Sequence, residues 1–533
     1  MKPLYFGMIV CLAVTSPSPK ANCGEEPARP EIRPPVNNEY SGFPVGSWAT
    51  THDFQEAMPD ILMERIDRQN KMVISEVRAN GEVEFQTFYL ADKKWVRHLY
   101  SSASGTSARV TLGEWVPSPD RERIVHDGKA MKKQVDPEGW TETHLPDEQV
   151  KIGEKLVDCT VRQWIPRTGK APVSLRLWFG KDVRVPVHTE RFGTQGTSVL
   201  AAPDVVKMEW SEDVEGKKRI YGGALISLSE RREVDGKPYD CAVWESSTQW
   251  GKQDAVVRKW LHDSVPGRCM KREVRRKDTG GLLSGTEVTG FGFLAAPLPP
   301  DKVKAQPGPW TSFAVGDSAE YLRTESAKPD QKSTWRRTYL GLNQDGYAII
   351  KTECLEGEDA GITTDRLEIP WPDIREQDVK VKEEKDGPIT VGGRKLDVTR
   401  SRYNCKDEWN RPWEATLITC KTVKLPFRDF SNWFVDASMG PDTLFAGAMV
   451  ANQVLTRKVV SLEETLKVGD KEVKCIKEEE ATWVKGQVSK RTYWSSMDIP
   501  GHFVKSSGTK EDGEKANEIV VQVTAFRKVV SGK

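Results

Sequence analysis

A chain of 533 residues exceeds what one ordinary hydrophobic core organises, so the length predicts two large β domains or three to four smaller ones. Its 79 Lys+Arg and 78 Asp+Glu nearly cancel to a net charge of +1, and no polybasic block or basic stripe breaks that balance, which speaks against nucleic-acid binding. Apolar residues at 37% and charged residues at 29% describe a folded, well-solvated protein, and no stretch reaches membrane-span length.

In chain order, Met1-Lys2, the apolar run from Leu4 to Val14 and the small, Pro-rich stretch TSPSPKA predict a signal peptide over residues 1–21, with Ala21 the last residue removed. A secreted or periplasmic location follows as an expectation. Residues 22–42 are Pro-rich and charged and read as a flexible spacer.

A first β domain is expected over 43–297. It opens on Phe43-Pro-Val-Gly-Ser-Trp48, and DRQNKMVISEV at 67–77 reads as a turn feeding a strand. Two segments follow, A and B. Segment A runs from Gly153 through Cys159 to Trp178, then the phrase KDVRVPVHTERF at 181–192. Segment B runs from LISLSERREVDGKPYDC at 225–241 through Trp260, 19 residues after Cys241, to Pro266-Gly267 and the strand from Val288 to Phe291. The stretch at about 100–140 has no counterpart later in the chain.

AAPLPPDKVKAQPGPW at 295–310 carries five prolines in 16 residues and predicts a linker over 298–309. A second β domain over 310–530 repeats the plan, opening on Phe313-Ala-Val-Gly-Asp-Ser318 and continuing with LNQDGYAIIKT at 342–352. Segment C has Gly392-Gly393, Val398 in the cysteine position, Leu417-Ile418 near the tryptophan position and KTVKLPFRDF at 421–430. Segment D, VVSLEETLKVGDKEVKC at 459–475, matches B without a gap at Ser227/Ser461, Leu228/Leu462, Glu230/Glu464 and Cys241/Cys475; Trp494, Pro500-Gly501 and the strand from Val523 to Phe526 follow at matching intervals. The order is A-B then C-D, with A like C and B like D.

Alternating apolar residues such as Tyr239, Cys241 and Val243 predict strands almost throughout. The fold class is therefore all-β: two tandem duplicated antiparallel domains, each a curved sheet or sandwich with one or two peripheral helices. The best helix candidate is PDTLFAGAMVANQVL at 441–455; PDVV at 203–206 is a shorter one. The glycine pairs at 222, 280 and 392 read as turns.

Seven histidines fall in no metal-ligand spacing and read as surface or turn residues. No nucleophile elbow, phosphate loop or dinucleotide fingerprint occurs, and nothing calls for a cofactor. The acidic runs Glu383-Glu384 and Glu478-Glu479-Glu480, interleaved with lysines, read as solvated faces. Replacement of the repeated cysteine by Val398 marks that position as small and apolar. Cys405 and Cys420, within one hairpin, form the best disulfide candidate.

The tryptophan position is the candidate site. Strand alternation puts Trp178 beside Arg176, Trp260 beside Arg258 and Trp494 beside Lys490, on the more polar side of each strand. Trp178, Trp260 and Trp494 either pack beneath a neighbouring layer with an Arg or Lys stem across them, or form an aromatic surface that stacks on a sugar or takes an acyl chain.

The strands entered through Gly-Lys turns, the tryptophan six residues ahead of Pro-Gly and the long hairpins resemble the curved sheets of the bacterial lipoprotein carrier and receptor family, and likewise secreted bacterial β-repeat proteins. The resemblance implies half-barrels that shelter acyl chains on a concave face, and carries no signature residue. The leading expectation is an exported, non-enzymatic binding or envelope-associated protein whose concave face or inter-domain cleft accepts an apolar small molecule or lipid. A carbohydrate-binding module or glycan hydrolase using the three tryptophans and a carboxylate pair is one alternative. A purely structural duplicated scaffold is another.

Overall fold

The computed structural model describes residues 39–529 except 41, 57–64, 79–82, 92–93, 104–108, 113–124, 127–128, 131–139, 167–173, 193–196, 215–216, 251–252, 294–295, 358–359, 371–374, 376–379, 386, 407–411, 433–434, 451–452, 485–486 and 513–514. The expected signal peptide and nearly all of the spacer lie outside these residues, as does most of 100–140. Among the described residues the protein is all-β and has no α-helix. The chain divides into two compact units, residues 1–74 with 80–293 and residues 75–79 with 294–533.

In the first unit a meander of antiparallel strands runs Trp140–Ile152, Lys155–Pro166, Ser174–Gly180, Val205–Val214, Lys217–Val234, Lys237–Trp250, Gln253–Leu261, Cys269–Arg276 and Leu282–Gly292, and the last pairs with Trp48–Gln55. The second unit follows the same order: Lys380–Lys385, Thr399–Lys406, Pro412–Thr419, Thr443–Val450, Gln453–Val468, Lys471–Val484, Gln487–Ser495, Phe503–Asp512 and Lys515–Arg527, which pairs with Ser318–Glu325. Each meander is interrupted after its third strand by a small separate hairpin, His188–Phe192 with Thr197–Ala201 in one unit and Arg428–Asn432 with Val435–Met439 in the other.

The registers agree in detail. Cys241 lies opposite Glu230 and Cys475 opposite Glu464, after irregularities at Leu225/Ser227 and Ser227/Glu230 in one hairpin and at Val459/Ser461 and Ser461/Glu464 in the other. Segment A has one such shift, between Leu145 and Glu148, and puts Glu148 opposite Cys159. Bulges of this kind bend a strand and sharpen its twist. The hairpin ends consequently fold over strands further along the sheet. A methyl group added at Gly153 would meet the Ile226 carbonyl at 3.9 Å, one at Gly290 the Asp235 carboxylate at 3.3 Å, one at Gly392 the Ser461 Cα at 3.4 Å, and one at Gly469 the Thr524 carbonyl at 3.3 Å.

Beneath the folded ends lie matching cores. Val234, Cys241, Trp260, Val265, Met270 and Val288 cluster in segment B, and Val468, Cys475, Trp494, Ile499, Val504 and Val523 in D. Cys159, Cys241, Cys475 and Val398 are all buried, as the Val398 replacement predicts. Segment C fills the tryptophan place with Ile418, which sits across from Arg400 and packs with Val398.

Several expectations are corrected. The 441–455 candidate helix is a strand from Thr443 to Val450 and, from Gln453, the start of the next strand; Leu444, Ala446 and Ala448 are buried in alternation, and Gly447 disfavours a helix. Likewise PDVV leads directly into the strand Val205–Val214. Gly222-Gly223 lies in mid-strand, where a Cβ at Gly223 would meet Trp244 Nε1 at 2.6 Å; the other two pairs are turns. The segment 298–306 is bound to its own unit, with Leu298 and Leu342 exchanging backbone hydrogen bonds and Gln306 donating to Gly346. Cys420 is a free thiol beside Thr422, and Cys405 pairs in register with Trp413, seven residues and about 20 Å along the strand from Cys420, so no bridge forms.

Candidate functional site

The three predicted tryptophans are buried, at 1% exposure for Trp178, 2% for Trp260 and 9% for Trp494. They share a strand face with Arg176, Arg258 and Lys490 as expected, but that face is the apolar, cysteine-bearing one and not a polar side. Register sets Trp178 opposite Val161 and Trp260 opposite Val243, on the face that carries the cysteines, and the folded hairpin ends close over that face. Trp178 Nε1 donates to Glu148 at 2.8 Å, with the Arg176 guanidinium 4.6 Å and the Lys207 ammonium 4.1 Å from its ring centroid; Arg176 also pairs with Glu148. Trp260 Nε1 donates to Glu230 at 2.8 Å, with Arg232 and Lys271 at 4.3 and 5.6 Å from its ring. Trp494 lies between Lys477 and Lys505 at 5.4 and 5.3 Å, but its Nε1 has no hydrogen-bond partner.

Glu148, Glu230 and Glu464 each stand 11 residues before their cysteine; in segment C that position is Gly387, and the tryptophan is missing too. Carboxylate and ring are thus present together or absent together, which fits a hydrogen-bonded cap in which cations lie across the indole. The buried thiols beneath these caps are poor nucleophiles, since burial pushes Cys241 and Cys475 up to about 11.

Two buried polar centres were not anticipated. Where the first unit's small hairpin meets the sheet, His188 is 3% exposed and its ring lies 4.6 Å from that of Trp244. Its Nδ1 donates to the Pro186 carbonyl at 3.0 Å, which leaves Nε2 as an acceptor, 3.9 Å from Glu190 and without a hydrogen-bond partner. Glu190 accepts from Lys259 at 2.6 Å and from the Ser246 hydroxyl at 2.9 Å. In the second unit Arg428 donates to Glu478 at 2.6 Å and to the Thr443 carbonyl at 2.6 Å, and Arg457 donates to Glu478 at 3.1 Å. Burial raises the Glu478 pKa, but the Arg457 and Arg428 guanidiniums outweigh it and hold the carboxyl below its ordinary range. The acidic run is therefore not a solvated face: Glu478 is 1% exposed, and only Glu479 reaches outward, to Lys458. Nor is His188 a surface histidine, and His502 is also buried.

The two centres use corresponding positions. Leu225 faces Trp244 and Gly223 faces Ser246 in one hairpin; Val459 faces Glu478 and Arg457 faces Glu480 in the other. The large Trp244 requires Gly223 beside it, whereas the smaller Glu478 leaves room for Arg457.

Burial pushes the His188 pKa down to about 4 against the attraction of Glu190, with Lys259 also disfavouring the charged ring. Above pH 6.5 the ring is neutral in folded and unfolded chains, and stability is unaffected by it. As pH falls from 6.5 toward 4 the unfolded chain binds the proton first, and about 3 kcal/mol is lost from this group. Urea unfolding at pH 7 and pH 4.5 should show a smaller acid loss for His188→Gln than for the unaltered protein; equal losses would mean that the ring is not held neutral.

The face that carries Trp494 does present an exposed aromatic residue, further along the strands. Met449, Val454, Trp483 and Val488 stand directly opposite one another across four strands and so share a face. Met449, Trp483 and Val488 are 45%, 37% and 41% exposed. The next row inward is Gly447, Thr456, Ala481 and Lys490. The corresponding residues of the first unit are Ser211, Ile220, Gln249 and Asp254, so the apolar row belongs to the second unit only. The sequence signal for it is Trp483 two residues before the Lys485-Gly486 pair, outside the repeated pattern.

No family model matches the chain, and neither a curated protein nor a solved structure resembles it. Among the described residues no group of three or more His, Cys, Asp or Glu is placed to hold a metal, and no helix is long and apolar enough to cross a membrane.

Proposed function

We propose that this is an exported, non-enzymatic, envelope-associated binding protein whose second unit takes up an apolar or lipid-like ligand. The observation that carries the reading is the exposed row of Met449, Val454, Trp483 and Val488, which extends the Trp494 face beyond its buried core. Trp178, Trp260 and Trp494 act in this reading as core caps. Their burial, with the Trp178 and Trp260 N–H groups committed to carboxylates, counts against the carbohydrate alternative. The matching strand orders and bulges favour descent of the two units from one duplicated ancestor, with the row a later specialisation of the second.

The neutral probe N-phenyl-1-naphthylamine tests the ligand claim. It should brighten with the unaltered protein and respond at least about tenfold more weakly with Trp483→Ser. Native mass spectrometry of protein from its own host should detect a bound apolar molecule. An equal probe response from Trp483→Ser would sink the assignment.

A further inference from the structure

The dimensions and end charges of the row narrow the ligand, on the reading just given. Four side chains one strand apart span about 14 Å, the reach of an extended alkyl chain of about twelve carbons. The exposed portions of Met449, Trp483 and Val488 amount to roughly 300 Å², far below the ~800 Å² per partner that a stable protein–protein contact buries. That area suits one alkyl chain and not a second copy of this protein.

The small residues of the adjacent row, Gly447, Thr456 and Ala481, leave a shelf beside Trp483, and Phe445 closes its end, since a Cβ at Gly447 would meet the Phe445 ring at 3.1 Å. The two ends differ in charge. Glu414 stands exposed opposite Met449 at one end. At the other, Lys490 lies exposed two residues after Val488, on the same face.

We propose that the row seats a single straight alkyl chain whose anionic headgroup lies at Lys490, while Glu414 disfavours an anion at the opposite end: a fatty-acid-like amphiphile of about twelve carbons. Displacement of N-phenyl-1-naphthylamine from the full chain, below micellar concentrations, separates this from a general apolar surface. Dodecanoate should displace the probe at about tenfold lower concentration than either hexanoate or dodecyltrimethylammonium. Lys490→Glu should abolish or invert that headgroup preference. If the probe binds at Trp483 but carboxylate and ammonium amphiphiles displace it equally, or chain length has no effect, this inference fails while the apolar-ligand reading stands. If the probe does not bind, or binds equally to Trp483→Ser, both fail.

Discussion

Trp260→Ala should destabilise the first unit by about 3–5 kcal/mol, the cost of emptying a large buried aromatic site. The ring sits in contact with Val243, Cys241 and Met270 under a folded hairpin end, and its N–H is bound to Glu230. Trp260→Phe keeps most of the packing and removes that hydrogen bond, so about 1–2 kcal/mol is expected. Glu230 retains Arg232 at 2.7 Å, which limits the loss. Trp494→Ala should cost less than Trp260→Ala, because Trp494 is 9% exposed and its N–H has no partner to lose. Urea unfolding followed by circular dichroism measures all three. A Trp260→Ala protein within 1 kcal/mol of the parent would show that the ring is a surface group and would reopen the stacking role.

Glu478→Gln is the second large effect, at about 3–5 kcal/mol in the second unit. The substitution removes a buried carboxylate that both Arg428 and Arg457 contact, leaving two guanidiniums with little access to water. The first unit shows how the same positions are filled without that carboxylate. Glu478→Trp combined with Arg457→Gly should be less destabilising than Glu478→Trp alone, because glycine makes the space that Gly223 provides beside Trp244. Additive losses in the double variant would show that the two hairpins do not share a packing plan.

The sheet was legible because period-two alternation and Gly-containing turns are local signals, and the B and D segments repeat them at a constant interval. The apolar stretch at 441–455 misled because small and large apolar residues satisfy both helical and strand spacing; only pairing with Pro412–Thr419 decides between them. Trp178, Trp260 and Trp494 were read on the more polar side of their strands, whereas Trp178 and Trp260 face Val161 and Val243 on the cysteine-bearing side and all three are buried. Their burial depends on bulges near Glu148, Glu230 and Glu464 that fold hairpin ends over strands distant in sequence. The same non-locality hid Glu478, whose neighbours suggest a solvated run while its partner Arg428 is 50 residues away. Trp483 was legible in principle, as an aromatic residue near a Lys-Gly pair and outside the repeat.

The proposed ligand site is the Trp483 row, whereas the repeated tryptophans are buried in the cores, and one measurement separates the two. Protein labelled with 5-fluorotryptophan and titrated with dodecanoate should show the fluorine resonance of Trp483, assigned by its absence in Trp483→Phe, shifting with ligand, while those of Trp178, Trp260 and Trp494 stay fixed. A titration that moves any of the three repeated tryptophans and leaves Trp483 unchanged would contradict the assignment.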